Sequence, residues 1–172
     1  MHKYGLKLWT TNGDWFDAAA QGFAINEFDF IEMAIKSDME NKLQPLAHIP
    51  LSFHIALDDK SHIIFMPAQL FENTADMKVE DLPNNLCLDI QKAWIAGRMD
   101  YVKIVFETKK PFYFHLSGIG ENQSHGNLWE GDIDWVKIKK MLPKDCYLIF
   151  ETPKDGSPID NDLKNMKYFR QL

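Results

Sequence analysis

At 172 residues, with 45% apolar and 26% charged side chains, the chain suits one globular domain, residues 1–172, large enough to bury a core without disulfides. No apolar run approaches bilayer-spanning length, and Met1–Trp9 alternates like a strand without the apolar core of a secretory signal, so a cytoplasmic protein with no membrane partner is expected. A formal net charge of −6 counts weakly against a nucleic-acid partner, because carboxylates around a metal also contribute negative charge that the cation cancels.

The first strand is read from Tyr4 to Thr10, followed by a helix that Asp14 caps and that runs through Ile25, with Trp15, Ala18, Ala19 and Phe23 on one face. Phe28–Ile35 is a second strand. Lys36–Lys42 is a short helix at best, stopped by Pro45 and Pro50 before a third strand, Leu51–Leu57, in which Ser52 and His54 share a face. Ile63–Met66 and Gln69–Glu72 both have strand character, and a strand ending at Glu72 is favoured. Leu86–Ile90 follows, with Asp89 and Cys87 on one side and Leu86 and Leu88 on the other. Gly97 allows a break before a helix from about Asp100 to Thr108 with Tyr101, Ile104 and Val105 inward. The strand Tyr113–Ser117 sets Tyr113, His115 and Ser117 on one face and opens into a glycine-rich loop carrying His125. Asp132 is placed as the cap of a helix holding Ile133, Trp135, Ile138 and Leu142; Cys146–Thr152 is the last strand, and a final helix begins near Ser157-Pro158. Cys87 and Cys146 each sit in apolar runs and read as buried free thiols.

Strands alternating with helices indicate an α/β protein with a mainly parallel sheet, either open and doubly wound or closed into a barrel. The barrel is favoured because Glu72, Asp89, His115 and Glu151 each stand at or near the C-terminal end of a strand, and in such a fold those ends meet at one mouth. Taken singly, each is as readily a strand-end cap or ion-pair partner. Converging, three carboxylates and an imidazole make a hard site that calls for a divalent cation, Mn²⁺, Mg²⁺, Co²⁺ or Zn²⁺.

The segments Leu70–Ala75, Leu86–Gly97, Phe114–Gly118, His125–Asp134 and Leu148–Thr152, in that order, resemble successive motifs of the xylose isomerase-like barrels, a superfamily that includes sugar-phosphate isomerases, epimerases and the endonuclease IV group. The resemblance implies that Glu72, Asp89, His115 and Glu151 hold one divalent metal ion. It also implies that Glu72 and Glu151 exchange a proton beside the carbonyl of a small sugar, sugar phosphate or related hydroxy-carbonyl substrate, and that His54 and His125 contact it. Carbohydrate metabolism is the implied setting. Lys92 stands where the family commonly has a histidine, and Gln123 where it has an aspartate. Both departures count against phosphodiester cleavage of the endonuclease type. Lys92 either holds an anionic group of the substrate or pairs with Asp89.

Only seventeen residues lie between His54 and Glu72, too few for the complete strand and two helices usual there. The expected fold is therefore a contracted (β/α) TIM-type barrel of about 7–8 strands with one or more helices missing. Uncovered apolar flanks would suit a homodimer. Two other readings stay open: an endonuclease IV-like metal phosphodiesterase, and a non-catalytic barrel used as a binding module.

Overall fold

A computed structural model of the chain describes residues 1–25, 27–35, 43–55, 71–84, 86–154 and 159–172, without the side chains of residues 35, 53–55 and 71. In chain order the elements are β1 (Lys3–Trp9), α1 (Phe16–Ala24), β2 (Phe30–Ile35), β3 (Leu51–Ile55), β4 (Phe71–Glu72), β5 (Leu86–Asp89), α2 (Ile90–Lys109), β6 (Tyr113–Leu116), β7 (Gly118–Ile119), β8 (His125–Gly126), α3 (Trp135–Met141), β9 (Tyr147–Phe150) and α4 (Asp160–Gln171). β7 and β8 form a small antiparallel pair. The other seven strands make one sheet in the order β3-β2-β1-β9-β6-β5-β4, with every pairing parallel.

That order is cyclic. Each strand lies beside its neighbour in sequence, and the last, β9, pairs with the first. A doubly wound sheet instead reverses its order at a switch point. The seam falls between β3 and β4, whose connection, residues 56–70, lies outside the described residues together with the expected strand Ile63–Met66. The sheet is also curled: His115 on β6 reaches Glu32 on β2 at 2.8 Å, over the two intervening strands. In a flat sheet three strand spacings of about 4.8 Å would keep those side chains apart.

The period of two gives the sheet chemically different faces. Leu6, Leu8, Ile31, Met33, Leu86, Leu88, Phe114, Leu116, Leu148 and Phe150 are buried on the outer face. They pack with Phe16 and Ala19 of α1, Val102 and Val105 of α2, Trp135 and Ile138 of α3, and Met166 and Phe169 of α4. Phe114 stacks on Phe106 at 5.3 Å, and Phe150 meets Phe169 edge-on at 6.2 Å. The inner face begins with an aromatic floor near the strand N-termini, where Tyr113 stacks on Tyr147 at 4.6 Å and Phe30 abuts Tyr147 at 5.4 Å. Gly5 makes room for this layer, since a Cβ there would come within 2.5 Å of the Phe30 ring. Above the floor, toward the C-terminal ends, the inner side chains become ionic.

The helices differ from the sequence expectations in informative ways. Asp14 does not cap α1; it lies exposed in a 3-10 turn, Gly13–Trp15, and the buried face is Phe16, Ala19 and Gly22 rather than Trp15 and Ala18. α2 starts directly at Ile90 and kinks at Gly97 and Arg98, so Gly97 bends a helix rather than preceding one. Its buried face includes Val102 and Val105, whereas Ile104 is exposed. α3 is capped by Asp134, which accepts from the Lys137 N–H at 3.0 Å. Asp132 instead receives Arg98 at 2.6 Å and Trp94 Nε1 at 3.0 Å, bracing the kink from outside. Between β4 and β5 the described residues hold only a 3-10 turn, Val79–Asp81, in keeping with a shortened βα unit. The short helix expected at Lys36–Lys42 lies outside the described residues.

Candidate metal centre

Four parallel strands bring their C-terminal ends together here. β4 ends at Glu72 and β5 at Asp89, β6 carries His115, and Glu151 follows β9, its N–H donating to the Leu116 carbonyl at 3.1 Å. Asp89 and His115 are register partners and so project side by side. Asn73, fully buried, accepts from the Asp89 N–H at 2.7 Å and donates to its carbonyl at 3.2 Å, which clasps the end of β4 to β5. Asp89 also caps α2, taking the Lys92 N–H on Oδ1 at 3.0 Å and leaving Oδ2 toward the other ligands.

One donor atom from each of Glu72, Asp89, His115 and Glu151 lies within 4.8 Å of the others, so this quartet could hold a metal ion. Bonds of about 2.1 Å keep donors roughly 3 to 4.2 Å apart, so the side chains would draw inward onto a bound ion. Asp89 Oδ2 and Glu151 Oε2 are both buried, the first facing Lys92 and the second His115. Nδ1 of His115 sits 3.4 Å from Glu72 Oε1 and 3.2 Å from Glu151 Oε2.

Two lysines clip the carboxylates in pairs. Lys7, on β1 and only 3% exposed, lies 2.9 Å from Glu151 and 3.6 Å from Glu32. Lys92 bonds Glu72 and lies 3.1 Å from Asp89 Oδ2. Among the described residues the site thus gathers the carboxylates of Glu32, Glu72, Asp89 and Glu151, the ammonium groups of Lys7 and Lys92, and the His115 imidazole.

Titration follows from this crowding. Burial pushes the Glu72 carboxyl up, but His115, Lys7 and Lys92 outweigh it and hold the group well below the usual carboxylate range. Glu151 is likewise pushed up by burial and held low by His115, Lys7 and His125. Asp89 is raised, because its complete burial outweighs the attraction of Lys92. Burial opposes charge on Lys7 and Lys92, yet Glu151 and Glu32 raise the first and Asp89 and Glu72 the second. Desolvation also opposes charge on His115, and the Cys87 sulfur and Glu32 carboxylate overcome it. Burial pushes the Cys87 thiol up to about 11.

No family model, curated protein or solved structure matches the chain. The site therefore rests on its own residues.

Of the residues expected from sequence, Glu72, Asp89, His115 and Glu151 are brought together. His125 joins them at the edge, its Nε2 3.7 Å from Glu151 Oε1 and its Nδ1 2.9 Å from Ser117 Oγ. Its loop is pinned by Gln91, which donates to the carbonyls of Gln123 at 3.1 Å and Ser124 at 2.7 Å. Gly118 lets the loop close, since a Cβ there would overlap the Asn127 carbonyl. Lys92 pairs with Asp89 and with Glu72 as well. His54 occupies the β3 position beside Ala34, and its side chain lies outside the described residues. Sequence reasoning missed Lys7, Glu32, Asn73 and Gln91, each buried. The available signal for the first two was parity: Lys7 and Glu32 are register partners on the face that carries the ligands.

Proposed function

We propose that the chain is a divalent-metal-dependent isomerase or epimerase of a small sugar, sugar phosphate or related hydroxy-carbonyl compound, built on a contracted TIM-type barrel akin to the xylose isomerase-like proteins. The carrying observation is the convergence of Glu72, Asp89, His115 and Glu151 at the C-terminal ends of parallel strands. One Mn²⁺, Zn²⁺, Co²⁺ or Mg²⁺ ion held there would supply Lewis acidity toward the oxygens of such a substrate. Glu72 and Glu151 are the proton-transfer pair. Both are held ionised, the state a base needs, and both contact the same imidazole nitrogen. A carboxylate base can take a C–H acidified by an adjacent polarised carbonyl, which is the hydrogen moved in aldose–ketose isomerisation and in epimerisation. Lys7 keeps Glu151 anionic and oriented, while His125 and Lys92 border the site with 36% and 30% exposed side chains and meet the substrate.

Metal analysis of protein purified without chelators tests the site: about one ion per chain is expected, and none in His115→Ala. Metal-loaded protein incubated in D₂O with aldoses, ketoses and their phosphates should place deuterium beside the carbonyl, and Glu151→Gln should abolish that exchange. A wild-type chain without metal refutes the reading.

One observation favours a second reading. Because Lys92 already bridges Glu72 and Asp89, the cluster is partly neutralised by the protein itself, as suits a non-catalytic barrel used for binding. Wild-type protein that remains metal-free and fully stable at saturating Mn²⁺ or Zn²⁺ would select it.

A further inference from the structure

The two lysines of the site are not equivalent. Lys7 is sealed beneath the cluster, 3% exposed, and only one of its partners, Glu151, belongs to the quartet. Lys92 lies at the open edge, 30% exposed, and both of its partners, Glu72 and Asp89, belong to the quartet. Its ammonium therefore stands against oxygens that a bound metal ion would need. An ammonium and a dication cannot share them, because the two cations would lie within about 4 Å of one another with little water between them. Lysine is suited to withdraw: its charge is a point on a flexible four-carbon stem, and the stem can stay packed while the head moves to solvent. Its backbone is fixed meanwhile, since the Lys92 N–H remains on Asp89 Oδ1 in the first turn of α2.

We propose that Lys92 is an internal counter-cation which a divalent metal ion displaces. The site then has two forms, one closed by the ammonium and one loaded with metal, and loading turns the Lys92 amine out to the rim. This inference rests on the metal reading above. It adds that the ion enters by exchange with a side chain rather than into a waiting cage, so that Lys92 sets the threshold concentration for loading.

Calorimetric titration of wild type and Lys92→Met with Zn²⁺, together with acylation of lysines by acetic anhydride followed by mass spectrometry, tests it. Lys92→Met should bind Zn²⁺ about tenfold tighter or more, having lost a competing charge. In the wild type, acylation of Lys92 should speed up several-fold on saturation with Zn²⁺, while Lys7 stays unreactive in both forms. The labelling needs no variant, so a poorly folding Lys92→Met would leave the test intact. Equal or weaker metal binding by Lys92→Met, or Lys92 reactivity that stays constant or falls on loading, overturns the exchange while leaving the metal site standing. A wild type that takes up no Zn²⁺ overturns both.

Discussion

The outer and inner faces of the sheet are made from alternate residues of the same strands, yet they are stabilised by opposite means. Outside, Leu6, Leu88, Phe114 and Phe150 are fully buried against the helices, where the contribution grows with apolar area and is indifferent to pH. Inside, Lys7, Glu32, Asp89 and His115 are as deeply buried, but each tolerates burial only through its neighbours. The outer face specifies the fold. The inner face spends part of that stability on an arrangement with chemical capacity.

Substitutions that separate the two faces should differ in kind as well as size. Phe150→Ala, on the outer face between β9 and α4, is expected to cost about 3–5 kcal/mol in urea denaturation, by the same amount at pH 5 and pH 8. Lys7→Met should cost about 3 kcal/mol at neutral pH, because it removes the buried ammonium beside Glu151 and Glu32. That deficit should shrink in acid as the carboxylates take up protons; a deficit constant with pH would mean that Lys7 acts by packing alone. Asn73→Ala removes the clasp between β4 and β5 and should cost about 1–3 kcal/mol, with loosening confined to those strands in hydrogen exchange.

The smallest difference is the acid response of the intact protein. Glu72 and Glu151 have pKa values depressed by folding, so their stabilisation is complete above their ordinary value of 4.5 and is lost as pH falls below it. Asp89 and Asp162 have raised pKa values and work the other way, relieving strain in acid, but the depressed carboxyls, which also include Asp76, Asp132 and Asp134, outnumber them. Metal-free wild type should therefore lose stability progressively below about pH 4.5, and Glu72→Gln should flatten that slope in a series of denaturation curves.

The two faces were also unequally legible. Apolar residues at every second position announce the outer face, so strands such as Leu86–Asp89 and Tyr147–Phe150 lie close to where alternation puts them. The quartet was legible because its members stand at strand ends, where chemistry gathers in parallel folds. Lys7 and Glu32 were not, because a charged residue within an alternating strand is the usual mark of a solvated face; only the curl of the sheet turns that face inward. Caps were misplaced where several aspartates compete. Asp132 and Asp134 both precede α3, and the choice depends on Arg98 and Trp94 engaging the former. The seven residues before Gly97 extend an apolar run from β5, which hid the true start of α2.

Asp89 divides its carboxylate, one oxygen to the first turn of α2 and one toward the ligands. That division ties inheritance of the site to inheritance of the helix. A drift to alanine at position 89 would forfeit both, whereas Asp89→Asn can still cap while lacking the charge, so it marks a narrow mutational path by which the chemistry could disappear and the architecture survive. Descendants of this chain that had lost the ligand cluster would therefore be expected to keep asparagine, serine or threonine here, recording in the cap a site no longer present.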